Sequence, residues 1–286
     1  MHMTINKNTK FLIVGLGLLG GSYARGLTGK GYYVEALVDN KEAMDYALEH
    51  GMVKKVSMEV DEEMIRNADI IIFTLYPETF VSWVEANGHL IKPGTIITDV
   101  TGVKGCIVDR IQQMLPPMVE FISAHPMAGK ESSGITNSDE RIFYGMNYLV
   151  VPTNRNTDEG IEACKRIGEI LGFGKISEIT PENHDKMIGF VSQLTHCIAV
   201  ALMNCYEHAS LERYTADSFR DLTRIAKINE KMWSELFLSN KDALLDEMEL
   251  FQTQLQKMHD YLKAEDRQGL MDMMITSTER RKLFDK

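Results

Sequence analysis

Residues 10–26 read KFLIVGLGLLGGSYARG. An apolar, strand-like run ends at Val14, a glycine cluster follows, and a helical stretch begins at Leu18. Gly15, Leu16, Gly17, Leu18, Leu19 and Gly20 form a GxGxxG between that strand and that helix, the placement a dinucleotide-binding βαβ unit requires. Gly15 permits the tight turn, Gly17 lets the backbone approach a pyrophosphate, and Gly20 allows close helix–strand packing. The helix N-terminus then offers unpaired N–H groups and a partial positive charge to the phosphates.

Moving outward, YYVEALVDN reads as a second strand and places Asp39 at its end, about 20 residues beyond the glycines. A carboxylate there binds a ribose 2′-hydroxyl and repels a 2′-phosphate, so the expected cofactor is NAD rather than NADP. Further strand candidates are DIIIFTLYP, GTIITDV, EFISAHP, NYLVVP and KISEIT, alternating with helices such as KEAMDYALEHG and IEACKRIGEILGFG. Strands alternating with helices give a parallel sheet covered on both faces. The expected architecture is a Rossmann-type α/β domain with an all-α domain after it. Tyr76 and Pro77 should lie at the carboxyl edge of the sheet, where ligands bind in open α/β folds. A plain strand-ending turn is the competing reading.

The texture changes at Thr180-Pro181, an N-cap followed by proline at the first helical position. Ile188, Val191, Thr195, Ile198 and Leu202 recur at helical spacing, and strand-like runs are absent beyond. Leu244, Met248, Phe251, Leu255, Met258 and Leu262 make a seam for another helix. The chain therefore divides into a dinucleotide-binding domain, 1–179, and a helical domain, 180–286, expected to bind substrate and pair two copies into a homodimer.

Composition narrows the partners. With 41 Asp and Glu against 31 Lys and Arg, the net charge of -10 argues against nucleic acid or an anionic membrane as partner. The N-terminus lacks the apolar core of a secretory signal. The two longest apolar runs seen, FLIVGLGLLG and DIIIFTLYP, are about half the roughly 20 residues a membrane helix needs. Cys106, Cys164, Cys197 and Cys205 show neither a CxxC pair nor metal-ligand spacing, so they read as reduced thiols and no metal is expected. The expected setting is the cytoplasm.

SAHPMAGKESSG, residues 123–134, carries the chemistry. On the residues alone, His125 at a strand's carboxyl end reads equally as a group facing a nicotinamide or as a satisfied structural histidine. AHPMAGKESSG resembles the HPMAG-x-E-x-SG signature of the prephenate and arogenate dehydrogenases of tyrosine biosynthesis. GLGLLGGS resembles their glycine loop, HDKMIGFVSQLTH their HD…S-x-L-x-H helix, and FRDLTRIAKINEKMW their F-x-D-x-TRIA…MW segment. These ordered motifs span both domains, which makes the resemblance far more specific than any one of them. Neither a fused chorismate mutase nor a recognisable regulatory domain is read in the sequence.

The resemblance implies an NAD-dependent oxidative decarboxylation, in which a ring carbon loses hydride while a carboxylate leaves as carbon dioxide. It makes His125 the group that takes the substrate hydroxyl's proton, and Arg224 the fork that holds a carboxylate. Ser192 and His196, four apart on one helix, would touch substrate together. Glu131 and Asp221 match acidic positions that work with the arginine at the pocket mouth. Arg220, Met232 and Trp233 match pocket-lining positions, the last two open to supply by a dimer partner. Gly102 in TDVTGVKG stands where many members carry a serine that meets the catalytic histidine. Thr101, placed with the cofactor contacts, is the nearest hydroxyl that could replace it, and Lys104 reads as structural.

Prephenate is the first expectation for substrate and arogenate the alternative. A β-hydroxyacid or imine reductase would not need the HPMAG histidine and the TRIA arginine together. A catalytically silent NAD-binding regulator is the rival of a different class, and Gly102 is the one feature that leans towards it.

Overall fold

The computed structural model describes residues 5–130, 132–207 and 210–284. Strands β1 (Lys10–Val14), β2 (Tyr33–Leu37), β3 (Lys55–Ser57), β4 (Ile70–Phe73), β5 (Ile96–Asp99) and β6 (Glu120–Phe121) form one parallel sheet in the order β3-β2-β1-β4-β5-β6. Val14 pairs with Leu37 on one side and Phe73 on the other, and Phe73 pairs with Asp99. The loops bearing Gly15, Asp39, Tyr76 and Thr101 therefore all leave one edge of the sheet.

Alternation along the strands sends side chains to two cores. Phe11 and Ile13 enter one with Tyr23, Ala24 and Leu27 of α1 (Leu18–Gly29). Helices α2 (Lys41–Glu49) and α6 (Asp158–Leu171) add Ala47 and Ile167 there. Leu12 and Val14 enter the other, with Ile65 of α3 (Glu62–Asn67), Phe80 of α4 (Pro77–Asn87) and Ile111 of α5 (Val108–Met114). Tyr76-Pro77 starts α4, with Pro77 in its first turn, so the pair is more than a strand-ending turn.

The run EFISAHP is two strands rather than one. After β6 the chain crosses at Ile122 into β7 (Ser123–Pro126), which pairs antiparallel with β8 (Asn147–Val151); β8 pairs parallel with β9 (Lys175–Glu178). Asp99 causes the crossing: its Oδ1 accepts from Ser123 Oγ at 2.6 Å and Ala124 N at 3.0 Å. These bonds draw β7 over the carboxyl end of β5 and bring His125 to the ligand edge. Strand β3, with three residues, is too short to show alternation and escaped the sequence reading.

Beyond β9 the described residues are helical: α7 (Pro181–Ile188), a π-helical turn (Gly189–Leu194), α8 (Thr195–Asn204), α9 (Asp217–Thr223), α10 (Glu230–Ser239), α11 (Lys241–Lys263) and α12 (Arg267–Arg281). Thr180 caps α7, its hydroxyl accepting from Asn183 N at 3.3 Å, and Pro181 opens it. The π turn inserts a residue and rotates the helix face that follows. Gln193 and Leu194 are consequently buried, whereas Val191, expected on the buried face, is 52% exposed.

Residues Pro181–Asn204 form one continuous helical stretch of 24 residues, long and apolar enough by composition to cross a membrane. It is longer than either apolar run of the first domain, FLIVGLGLLG or DIIIFTLYP. His184, Asp185 and Gln193 within it are buried and hydrogen-bonded to other elements, which ties the helix into the fold.

Candidate active site

The cofactor edge is built by backbone geometry. Gly15 has φ +95°, a left-handed conformation that favours glycine, and its N–H donates to Leu37 O at 2.8 Å. Thr74 Oγ1 donates to Gly15 O at 2.5 Å and holds the turn. A Cβ at Gly20 would lie 2.0 Å from Gly15 O, whereas one at Gly17 would meet nothing within 4 Å. Gly20 is thus demanded by packing, and Gly17 leaves open space at the N-cap of α1 where a pyrophosphate fits. Asp39 is exposed at the same edge and accepts from Asn40 Nδ2 at 2.7 Å. An open glycine, a helix N-terminus and a carboxylate beyond β2 together suit a dinucleotide with a free ribose 2′-hydroxyl.

His125 sits on β7, partly buried, and its Nδ1 lies 2.9 Å from Nε2 of His184 on α7. His184 Nδ1 in turn lies 2.7 Å from Asp185 Oδ1. Asp185 also accepts the backbone N–H of Lys104 at 2.9 Å and of Gly105 at 2.7 Å, so both its oxygens are occupied. Burial pushes His125 well below its ordinary range, and neighbouring His184 and Lys104 push the same way. Burial likewise lowers His184, against the opposing pull of Asp185. Both rings are therefore neutral near pH 7.

Beneath the histidines lies a fully buried ion pair. Lys104 Nζ stands 2.9 Å from Asp99 Oδ2 and donates to Ala124 O at 2.7 Å, gripping the residue before His125. Burial lowers Lys104 despite the pull of Asp99. Thr101, expected at the cofactor, turns its side chain inward. Its N–H donates to Asp99 Oδ2 at 3.0 Å, and its hydroxyl lies between that carboxylate and the Val103 carbonyl. A buried carboxylate needs donors, and Thr101 is turned inward to supply two. Its hydroxyl does not replace the serine absent at Gly102.

Gly102 itself is close to His125: a Cβ there would lie 4.0 Å from His125 Cε1 and 3.5 Å from Leu236 Cδ2. Leu236 belongs to α10, so the helical domain covers this spot with an apolar side chain. The Leu236 carbonyl accepts from Gln193 Nε2 at 3.1 Å, and Asn240 Nδ2 donates to Gln193 Oε1 at 2.7 Å and to Asp185 O at 2.9 Å. Glu235, also on α10, accepts from Glu78 N at the start of α4. The helical domain thereby closes over the carboxyl edge of the sheet.

On that domain His196 and Trp233 come together within one protomer, ring centroids 3.7 Å apart. His196 Nδ1 is 2.9 Å from Ser192 O, and burial lowers this histidine too. Trp233 is thus a same-chain neighbour of His196. Arg220, Asp221 and Arg224 lie exposed on and just after α9. Arg220 lines a cavity of about 770 Å³ with Val200, Phe219 and Lys227, and His125 is not among its walls. Glu131 lies outside the described residues. Sequence reasoning quoted His184, Asp185 and Asp99 inside motifs yet gave them no task; the adjacent HD pair was the available signal.

A family model described as the prephenate dehydrogenase nucleotide-binding domain matches residues 24–174, and one described as the prephenate dehydrogenase dimerization domain matches residues 180–276. The first match begins past the glycine loop, so the reading of that loop rests on its geometry. Prephenate dehydrogenase of Bacillus subtilis is 29% identical over 277 residues, 94% of this chain and 74% of that protein. Cyclohexadienyl dehydrogenase of Zymomonas mobilis is 26% identical over 279 residues, 94% of this chain and 93% of that protein. The crystal structure of A. aeolicus prephenate dehydrogenase with hydroxyphenyl propionate and NAD+ aligns with a TM-score of 0.89 at 27% identity, covering 96% of this chain and 98% of that one.

Proposed function

The chain belongs to the prephenate dehydrogenase family, and on that footing we propose that it is an oxidoreductase converting prephenate to 4-hydroxyphenylpyruvate with NAD. The observation that carries this reading is His125 held beside Gly102, past the carboxyl end of β5, with its Nδ1 2.9 Å from His184 Nε2.

The glycine loop and α1 N-terminus hold the pyrophosphate, and Asp39 takes the adenosine ribose hydroxyl and disfavours a 2′-phosphate. Bound NAD supplies the hydride acceptor. His125 receives the substrate hydroxyl's proton as the ring carbon becomes a carbonyl. The ring carboxylate leaves as carbon dioxide, its bonding electrons close the aromatic ring, and the proton returns to the phenol oxygen. Arg224, with Arg220 near it, takes the substrate carboxylate in the forked geometry of guanidinium. Ser192, His196 and Trp233 wall the ring, and Leu236 over Gly102 keeps water from His125. Asp221 orients the arginines.

The exposed seam of α11, where Leu255 and Leu262 are 57% and 60% exposed, supports a homodimer through the helical domain, 180–286. A monomer in sedimentation at micromolar concentration argues against it. Four unpaired cysteines support a reducing, cytoplasmic setting.

The deciding experiment is turnover of prephenate and of arogenate, each with NAD and NADP. Turnover of prephenate with NAD is expected. Preference for arogenate overturns the substrate, and NAD binding without turnover of either points to the silent regulator.

A further inference from the structure

The bonds around His125 determine which of its nitrogens is free, and they run through a residue with no task so far. As a carboxylate, Asp185 only accepts hydrogen bonds, and it already accepts two backbone N–H groups. The 2.7 Å contact to His184 Nδ1 therefore requires the proton on that nitrogen. A neutral His184 has one ring proton, so its Nε2 carries a lone pair. At 2.9 Å from that lone pair, His125 Nδ1 must be the donor. One proton remains to a neutral His125, and it is now placed. Its Nε2 is left as the base.

We propose that His184, anchored by Asp185, is the positioning residue that fixes the tautomer of His125, so that Nε2 faces the reaction as the proton acceptor. This inference rests on the reading of His125 as the base. The structure is economical with alternatives. Lys104 reaches the Ala124 carbonyl and the Asp99 carboxylate rather than the ring. Gly102 offers no side chain, and Leu236 above it is apolar. Thr101 is turned away. Among the described residues, the hydrogen-bond partner of the His125 ring is His184, which accepts from it. The titratable groups that face it are His184 from α7 and Lys104 from the β5–α5 loop, with Asp185 and Asp99 behind them.

When His125 takes the substrate proton, both its nitrogens carry hydrogen. The Nδ1–H continues to donate to His184, and the Asp185 carboxylate lies one hydrogen bond further along the same line. A ring left to choose its own tautomer would place its proton on Nε2 for part of the time and be unable to accept there. A histidine base in the wrong tautomer can lose orders of magnitude in rate.

The test uses the full-length protein with isotope-labelled histidine nitrogens. Two-bond proton–nitrogen correlation spectra read each ring's tautomer directly, and the His125 signals are identified by their loss in His125→Asn. We expect wild-type His125 protonated on Nδ1. In His184→Phe that preference should disappear. Turnover should then fall about 10- to 100-fold, with both Michaelis constants within about threefold of wild type. His184→Gln keeps an oxygen acceptor near the Nε2 position and should recover most of the loss. A wild-type His125 protonated on Nε2 overturns the proposal, as does a His184→Phe protein with unchanged tautomer. Should His184→Phe fail to fold, the wild-type spectrum and the glutamine variant still decide. The expected tautomer in a protein that turns over neither prephenate nor arogenate would support the tautomer assignment and sink the functional reading instead.

Discussion

Lys104 and Asp99 meet at 2.9 Å with neither side chain exposed, and from that buried pair the protein positions the residue before its candidate base. Lys104 holds the Ala124 carbonyl while Asp99 holds the Ala124 N–H, so β7 is clamped on both sides of one residue. Lys104→Met leaves the carboxylate uncompensated, and breaking a buried pair costs about 3–5 kcal/mol. Chemical denaturation should report a loss of that size. A change below about 1 kcal/mol, within surface-pair values, would remove the pair from the account.

His125→Asn keeps the bulk of the side chain but cannot accept the proton in the same way. Turnover of prephenate should fall by about 10²–10⁴-fold, with NAD affinity by titration nearly unchanged. A loss of only a few-fold takes His125 out of the chemistry.

The glycines separate cleanly into packing and binding roles. Gly20→Ala drives a methyl against Gly15 O and must distort the loop, so thermal stability should fall along with NAD affinity. Gly17→Ala meets no protein atom and should leave the melting temperature alone while weakening NAD binding. Equal affinity for NAD in Gly17→Ala and wild type would contradict a pyrophosphate at that spot.

Arg224→Ala removes a charged hydrogen-bond partner of the substrate carboxylate, and such bonds contribute about 1.5–3 kcal/mol. The Michaelis constant for prephenate should rise about 10- to 100-fold. NAD binding should hold. An unchanged constant defeats the assignment.

Acid should weaken both stability and activity. His125, His184 and His196 all lie below the ordinary histidine value of 6.5 because burial disfavours their charged forms. Between the lowered folded values and 6.5 the unfolded chain binds more protons than the folded one. The stabilisation is complete above that ordinary value and is lost as pH falls through the lowered ones. Urea melts across about pH 5 to 7 should show stability rising with pH. The acid limb of kcat/KM should fall below the ordinary histidine value, because His125 acts while neutral. Flat stability across that range would exclude these shifts.

Local order was legible in the residues. Short, nearly continuous apolar runs announced β1, β2, β4 and β5, the glycine spacing announced the turn, and Thr180-Pro181 announced α7. Each is a signal carried within a few residues, where steric and hydrogen-bond preferences act. The family motifs added His125, Ser192, His196, Arg224 and Trp233 as a set, without saying which of them touch.

Contacts between distant segments were decided by the tertiary structure. EFISAHP became two strands because Asp99, on another strand, captured Ser123 and Ala124. Val191 turned outward because a π turn shifted the helix by a residue. Thr101 turned inward because a buried carboxylate needed its donors. His125 and His184 stand 59 residues apart in sequence and 2.9 Å apart in space, and no local preference couples them. The sequence by itself determined a dinucleotide fold and a candidate base. The packing of α7 against β7 decided which nitrogen of that base is free, since a tautomer is set by the neighbour that folding brings to the ring.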